Sequence, residues 1–330
     1  MTPPSQQEFK PAWWLPEGHT QTLWRKFAPP ERIIQKRERV ELDDGDFIDL
    51  DWAAAISGSE SRDRIIVVIL HGLCGCSSSP YVAALQTLLT ANSIASVAMN
   101  FRGCSGEYNR LARAYHSGVS ADANVVFSDL FSRFPDHRFA FVGYSLGANV
   151  LLKWLGEIRR HPQVMKAVAV STPFALDLCS RAMLRGVSRA YGSYFVRRLL
   201  QDLDAKRQHF TATHNALQLE QLQALGSLDD IRTIWEFDDR VTAPLHGFRD
   251  AEDYYGHCSS LHFLPGIATD TLLIQSRNDP LIPAAALPNP ARLSAQVRLE
   301  LLGQGGHVGF ISGQRENWLE QRILRFILLD

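Results

Sequence analysis

Phe139-Ala140-Phe141-Val142-Gly143-Tyr144-Ser145-Leu146-Gly147-Ala148-Asn149-Val150-Leu151-Leu152-Lys153-Trp154 decides how this 330-residue chain is read. A short apolar run of strand character meets Gly-x-Ser-x-Gly, and a helical pattern opens directly behind it. The five-residue pattern is cheap by itself, so its place between strand and helix is what gives it meaning. A strand-to-helix turn this sharp forces Ser145 into a strained backbone conformation and exposes its hydroxyl. The residues two before and two after must be small, because strand and helix crowd together there. The helix N-terminus brings N–H donors and a positive dipole to the place where an oxyanion would form. Ser145 is therefore the candidate nucleophile. The bland reading is a glycine-bounded turn with an incidental serine.

Outward from that turn, short β-rich runs alternate with helical patterns, as in a mostly parallel sheet covered by helices. Strands are expected over 64–70, 93–100, 138–142 and 165–170, and helices over 81–90, 119–134 and 146–160. The run at 64–70 is apolar almost throughout, as a strand buried on both faces must be. Upstream, 38–42 and 47–52 flank Asp43-Asp44-Gly45, a hairpin signal. The alternation stops at Phe174. From there to about Leu264 the chain has helical spacing and no clear strand, which reads as a helical cap inserted above the C-terminal ends of the strands. Its aromatics, Trp235, Phe237, Tyr254 and Tyr255 among them, are candidates for an apolar acyl pocket. Strands resume at 271–275 and 295–302, and an amphipathic helix closes the chain over 316–329. The expected fold class is thus α/β, a mostly parallel central sheet flanked by helices. Its core is 1–173 and 265–330, with 1–36 as an N-terminal extension, and 174–264 forms the helical cap.

A serine hydroxyl needs a base, and the base needs an acceptor that orients it. When the serine sits in such an elbow, the chain order is Ser, then Asp or Glu, then His, each on a loop after a strand. His307 fits as base, because Gly303-Gln304-Gly305-Gly306 lets the backbone bend back just past the strand expected at 295–302. Asp279 fits as orienter in Asn278-Asp279-Pro280-Leu281-Ile282-Pro283, where the prolines stiffen the loop. Asp270 starts its strand instead of following it and sits at the wrong edge. His71-Gly72-Leu73-Cys74-Gly75 follows the first central strand, so the Leu73 and Leu146 N–H groups are the expected oxyanion hole. His71 reads as a structural hydrogen-bonding group. Cys74-x-Cys76 has no partner pair, and His257, Cys258 and His262 are loosely spaced for a metal site. The chemistry calls for no metal and no organic cofactor.

Composition narrows the partners. Net charge is −1, with 45% hydrophobic and 21% charged residues, so nothing points to nucleic acid. The expected partner is a small-molecule ester. The apolar run at 65–70 is far too short to span a bilayer, and the opening Met1-Thr2-Pro3-Pro4 lacks a secretion pattern. Five scattered cysteines suit a reducing compartment. A cytoplasmic protein without an integral membrane segment is expected.

Four segments carry a resemblance. They are His71-Gly72-Leu73-Cys74-Gly75, Asn100-Phe101-Arg102-Gly103-Cys104-Ser105-Gly106, Gly143 to Asn149, and Gly305-Gly306-His307-Val308-Gly309-Phe310. Together they resemble the YheT-type esterases of the α/β-hydrolase superfamily. Gly18-His19-Thr20-Gln21-Thr22 and the cap segment from Phe237-Asp238 to Asp253-Tyr254-Tyr255 are similar to that branch too. The resemblance covers nearly the whole chain and departs at none of the three candidate positions. It implies hydrolysis of short- to medium-chain carboxylic esters. Related members are alcohol acyltransferases or act on lipid esters, so the alternative is an alcohol O-acyltransferase using the same three residues. A non-catalytic binding protein on this fold is the more distant alternative, since it would be free to lose one of the three.

Overall fold

The computed structural model describes residues 9–29, 31–53, 64–313 and 317–329. Residues 1–8 of the expected N-terminal extension, and Glu316 at the expected start of the last helix, lie outside them. The chain opens with helix α1 (Gly18–Phe27) and a hairpin, β1 (Lys36–Glu41) and β2 (Phe47–Trp52), turned at Gly45 with φ +82°. Then β3 (Ile65–Leu70), α2 (Pro80–Ala91), β4 (Ala95–Asn100), α3 (Ser120–Arg133), β5 (Arg138–Tyr144), α4 (Leu146–Ile158) and β6 (Val164–Val170) alternate. Six helices follow without a strand: α5 (Leu176–Ala182), α6 (Ser188–Ala212), α7 (Ala216–Gln223), α8 (Ile234–Phe237), α9 (Ala243–His246) and α10 (Ala251–Cys258). The chain closes with β7 (Asp270–Ser276), β8 (Val297–Leu302) and α11 (Trp318–Leu328).

The strands make one eight-stranded sheet in the order β1-β2-β4-β3-β5-β6-β7-β8. From β4 to β8 the pairings are parallel; β2 runs antiparallel to β1 and β4. Strand β3 shows why its sequence is apolar without interruption. Ile66, Val68 and Leu70 pack with Phe127 of α3 and Trp154 of α4, while Ile65, Val67 and Ile69 pack with Leu85 of α2 and Phe326 of α11. Both faces are covered, so no position on the strand meets water. Strand β5 runs two residues beyond the expected 138–142, because Gly143 and Tyr144 still pair with Ala169 and Val170 of β6. It therefore delivers the chain straight into the turn at Ser145.

Helix α1 has no apolar stripe to announce it. Its buried positions are Gly18, Gln21 and Arg25, while Leu23, Trp24 and Phe27 face outward. Arg25 pairs with the buried Glu320 of α11, and burial lowers the pKa of its guanidinium. Among the described residues no helix is long and apolar enough to cross a membrane.

The start of the loop after β4 is held by a buried cation, Arg102, and its far part by a second, Lys206, which donates to Asn109 Oδ1 (2.7 Å) and to the Ala112 and Arg113 carbonyls (both 3.1 Å). The Arg102 guanidinium donates to Asp44 (2.8 Å) and Asp46 (2.9 Å) in the hairpin turn, and to both oxygens of Asp122 (2.6 and 2.7 Å) in α3. Replacing it leaves carboxylates in a buried place without that charge. Arg102→Met is expected to lower unfolding free energy by about 3–5 kcal/mol, read as a lower urea midpoint. A midpoint equal to wild type would mean that water enters and solvates the acids.

Candidate active site

Ser145 sits between β5 and α4 with φ +52° and ψ −118°, a conformation that L-residues rarely adopt. Three backbone hydrogen bonds hold it there. Its N–H donates to Val170 O (2.9 Å), and its carbonyl accepts from Ala148 and Asn149 N–H. The flanking glycines are required by contact. A Cβ on Gly147 would lie 2.5 Å from the His71 carbonyl oxygen, and one on Gly143 would lie 2.6 Å from Ala148 Cα.

His307 follows β8 on a loop where Gly305 (φ +145°) and Gly306 (φ +62°) turn the chain back. Its Nε2 lies 2.8 Å from Ser145 Oγ, and its Nδ1 lies 2.9 Å from Asp279 Oδ2. The other carboxylate oxygen of Asp279 accepts from the N–H groups of Leu281 (2.8 Å) and Ile282 (3.2 Å). An ionised carboxylate only accepts, so Nδ1 carries the ring proton and Nε2 is left to accept from the Ser145 hydroxyl. The Asp279 side chain is fully buried and His307 is 10% exposed, so water competes little for these bonds. The structure thus brings together three residues from three loops. Asp270 lies at the first residue of β7 beside Arg298 (3.6 Å), at the other end of the strand that leads to Asp279.

Leu73 and Leu146 both line the cavity that contains Ser145 and His307. The neighbouring Gly72 and Cys74 N–H groups donate to the Tyr81 and Tyr115 hydroxyls, both at 2.9 Å. No acceptor among the described residues takes the N–H of Leu73 or Leu146. His71 holds the loop in shape: its Nδ1 lies 2.8 Å from Gly72 O, and Phe101 N–H donates to its Nε2 (3.2 Å). Burial pushes its pKa down to about 4, so the ring is neutral at pH 7. The five thiols are free. Among the described residues no group of three or more His, Cys, Asp or Glu side chains could hold a metal ion.

The cavity is about 110 Å³ and mostly apolar. Helices α5, α6, α8 and α10, from the stretch between β6 and β7, contribute to its wall. Of the aromatics named above, Phe237, Tyr254 and Tyr255 line it and Trp235 does not. Trp235 lies two residues, about 200° of helix, from Phe237, and packs between Tyr255 and the Arg181 guanidinium.

Ser276, Asn278 and Ser171 hold the histidine loop at Gly306 and Val308, and further support comes from α1, which periodicity does not find. Thr22 Oγ1 accepts from His307 N–H (2.8 Å) and donates to Gly18 O (2.7 Å). Gln21, fully buried, accepts from Ile311 N–H (2.6 Å) and donates to Ile311 O (3.0 Å) and Leu15 O (2.8 Å). A Cβ on Gly306 would lie 2.3 Å from Gly18 O, so loop and helix meet backbone to backbone. Thr22→Val keeps the shape and removes the acceptor. It is expected to lower kcat about tenfold with KM nearly unchanged, and Thr22→Ser is expected to restore it. A loss confined to KM would assign α1 to substrate binding instead.

A family model for the α/β hydrolase fold matches residues 65–314. The chain belongs to the α/β hydrolase fold family. It is 39% identical to YheT of Escherichia coli (strain K12) over 97% of this chain and 92% of that one. Phospholipase ABHD3 of Mus musculus is 28% identical, with 93% of this chain and 74% of that one covered. The monoacylglycerol lipase of Saccharomyces cerevisiae is 30% identical over 79% of this chain and 58% of its own length. An esterase of Pyrococcus furiosus shares the fold at a TM-score of 0.56 and 17% identity, covering 90% of this chain and 96% of that one. With these relatives, this α/β hydrolase is placed among the hydrolases.

Proposed function

We propose that this α/β hydrolase cleaves carboxylic esters of short to medium acyl chain through an acyl-enzyme on Ser145. One observation carries the reading: Asp279, His307 and Ser145 are joined by hydrogen bonds of 2.9 and 2.8 Å at the edge of a mostly apolar cavity. In the first step His307 Nε2 takes the Ser145 proton as Oγ attacks the ester carbonyl. The oxyanion is held by the Leu73 and Leu146 N–H groups, both free to donate. The carbonyl re-forms, the C–O bond to the alcohol breaks, and the alkoxide leaves with the proton from His307. Water then repeats the sequence and releases the acid. Asp279 stays ionised throughout and steadies the imidazolium. Residues 174–264 act as the cap that selects the acyl group.

The test is a series of p-nitrophenyl esters from acetate to laurate, run with and without a competing short alcohol. Hydrolysis is expected to peak at short to medium chains. Alcoholysis outrunning hydrolysis in dilute alcohol would make the protein an acyltransferase instead. Phe237→Ala is expected to move the peak toward longer chains. Each further buried CH₂ contributes about 0.8 kcal/mol, or roughly fourfold in kcat/KM. An unmoved peak in a folded variant removes the cap residue from selection.

A further inference from the structure

Asp238 opens a single π-helical turn, Asp238–Thr242, set between α8 and α9. Turns of this type are rare and occur often at functional sites. Asp238 is the only acidic side chain among the described residues lining the cavity of Ser145 and His307. Leu176, Met183, Phe195, Ile234, Leu281 and Ile282 make up much of the remaining wall. The carboxylate accepts from the Tyr255 hydroxyl and from Thr242 Oγ1, both at 2.7 Å. No Lys, Arg or His among the described residues makes a salt bridge or hydrogen bond with it. A carboxylate has about four lone-pair positions, so two remain open. Burial without a cation pushes its pKa up to about 6.

A second polar group stands beside it. Ser180 of α5 is 3% exposed and lines the same cavity. Its Oγ lies near the Tyr255 hydroxyl yet has no partner in hydrogen-bond geometry. Seven buried hydroxyls among the described residues lack a partner, and of these only Ser180 lines the cavity, where an unpaired polar group meets whatever enters.

We propose that Asp238 and Ser180 form a hydrogen-bonding subsite that selects esters bearing a free hydroxyl group. The proposal rests on the ester-hydrolase reading and names its substrate class. A hydroxyl donates to one open position of the carboxylate and accepts from the Ser180 O–H at once, so one group partners both side chains. An ammonium group donates to the same positions, and the cationic ester in the comparison below separates it from a hydroxyl. A plain ester leaves the Ser180 hydroxyl and the open positions of the carboxylate desolvated without a partner, which is the situation in which discrimination becomes large. The hydroxyl belongs to the alcohol part or to the acyl part of the ester, and the two are separable by choice of substrate.

The experiment compares kcat/KM of the full chain on matched pairs. Glyceryl monobutyrate against propyl butyrate places the hydroxyl on the alcohol side. Methyl 6-hydroxyhexanoate against methyl hexanoate places it on the acyl side, and butyrylcholine tests for a cation. The wild type is expected to favour the hydroxylated member of one pair by at least about tenfold. Asp238→Asn and Ser180→Ala are each expected to bring that ratio to about threefold or less. Ser180→Ala removes a hydroxyl that forms no hydrogen bond, so it tests the subsite even if Asp238→Asn fails to fold. The proposal is overturned by ratios near one for both pairs in the wild type, or by a ratio unmoved in either folded variant. A preference for butyrylcholine that disappears in Asp238→Asn overturns it too. If no ester in the set is cleaved in a Ser145-dependent way, the hydrolase reading itself fails.

Discussion

Ser145→Ala is expected to lower kcat for ester hydrolysis by on the order of 10⁶ with little change in stability. Among the described residues the hydroxyl makes a single hydrogen bond, to His307 Nε2 at 2.8 Å, and three backbone bonds from Ser145 itself hold the turn. Alanine keeps the Cβ, so the crowding with Gly72, whose own Cβ would lie 3.2 Å from it, is unchanged. Loss of one side-chain hydrogen bond at this site changes unfolding free energy by about 1–2 kcal/mol. Activity and stability therefore separate cleanly. The measurement is steady-state hydrolysis of the best p-nitrophenyl ester beside a urea unfolding curve, with covalent labelling by a phosphonate ester as a second readout. A folded variant that retains wild-type kcat, or still takes the label at residue 145's peptide, would sink the assignment of Ser145 as nucleophile.

Asp279→Asn is expected to lower kcat by on the order of 10⁴ while the backbone stays in place. The direction follows from which oxygen is already committed. Oδ1 accepts from the Leu281 and Ile282 N–H groups, so the asparagine must keep its carbonyl oxygen there. Its NH₂ then takes the place of Oδ2, 2.9 Å from His307 Nδ1. A donor facing Nδ1 reverses the tautomer and puts the ring proton on Nε2, toward Ser145 Oγ. In that form the imidazole cannot accept the serine proton. Raising the pH does not restore the base, because the proton is misplaced instead of in excess. A pH–rate profile with full recovery at alkaline pH, or a loss below about tenfold, would rule out this role for Asp279.

Gln21 and Thr22 show where reading from sequence stops. Strands that are apolar on every residue, such as β3, are legible because both faces are buried and every position must therefore be apolar. Helix α1 reverses the usual code, with Gly18, Gln21 and Arg25 inward and Trp24 and Phe27 outward. A hydrophobic-period argument has nothing to detect there. Gln21 can be buried only because Leu15 and Ile311 are waiting for it, and neither is visible from the helix's own sequence. Trp235 illustrates the smaller error of the same kind. Its type suits a pocket wall, but its position on α8 turns it toward Arg181.

What the sequence determined by itself was local and steric. The sharp turn at Gly143-Tyr144-Ser145-Leu146-Gly147, the continuous apolar strands, the stop in alternation at Phe174 and the glycine-bent loop before His307 all depend on a residue and its near neighbours. The order of Ser145, Asp279 and His307 along the chain belongs to the same level. The tertiary structure decided everything that depends on a partner far away in the chain. His307 meets Ser145 across 162 residues, and Thr22 meets His307 across 285. The cavity's polar end, where Asp238 and Ser180 share Tyr255 as a neighbour, exists only because α5, α8 and α10 fold against one another. Side-chain chemistry states what a residue is able to do; burial and the identity of its distant partner decide which of those capacities is left open for a substrate.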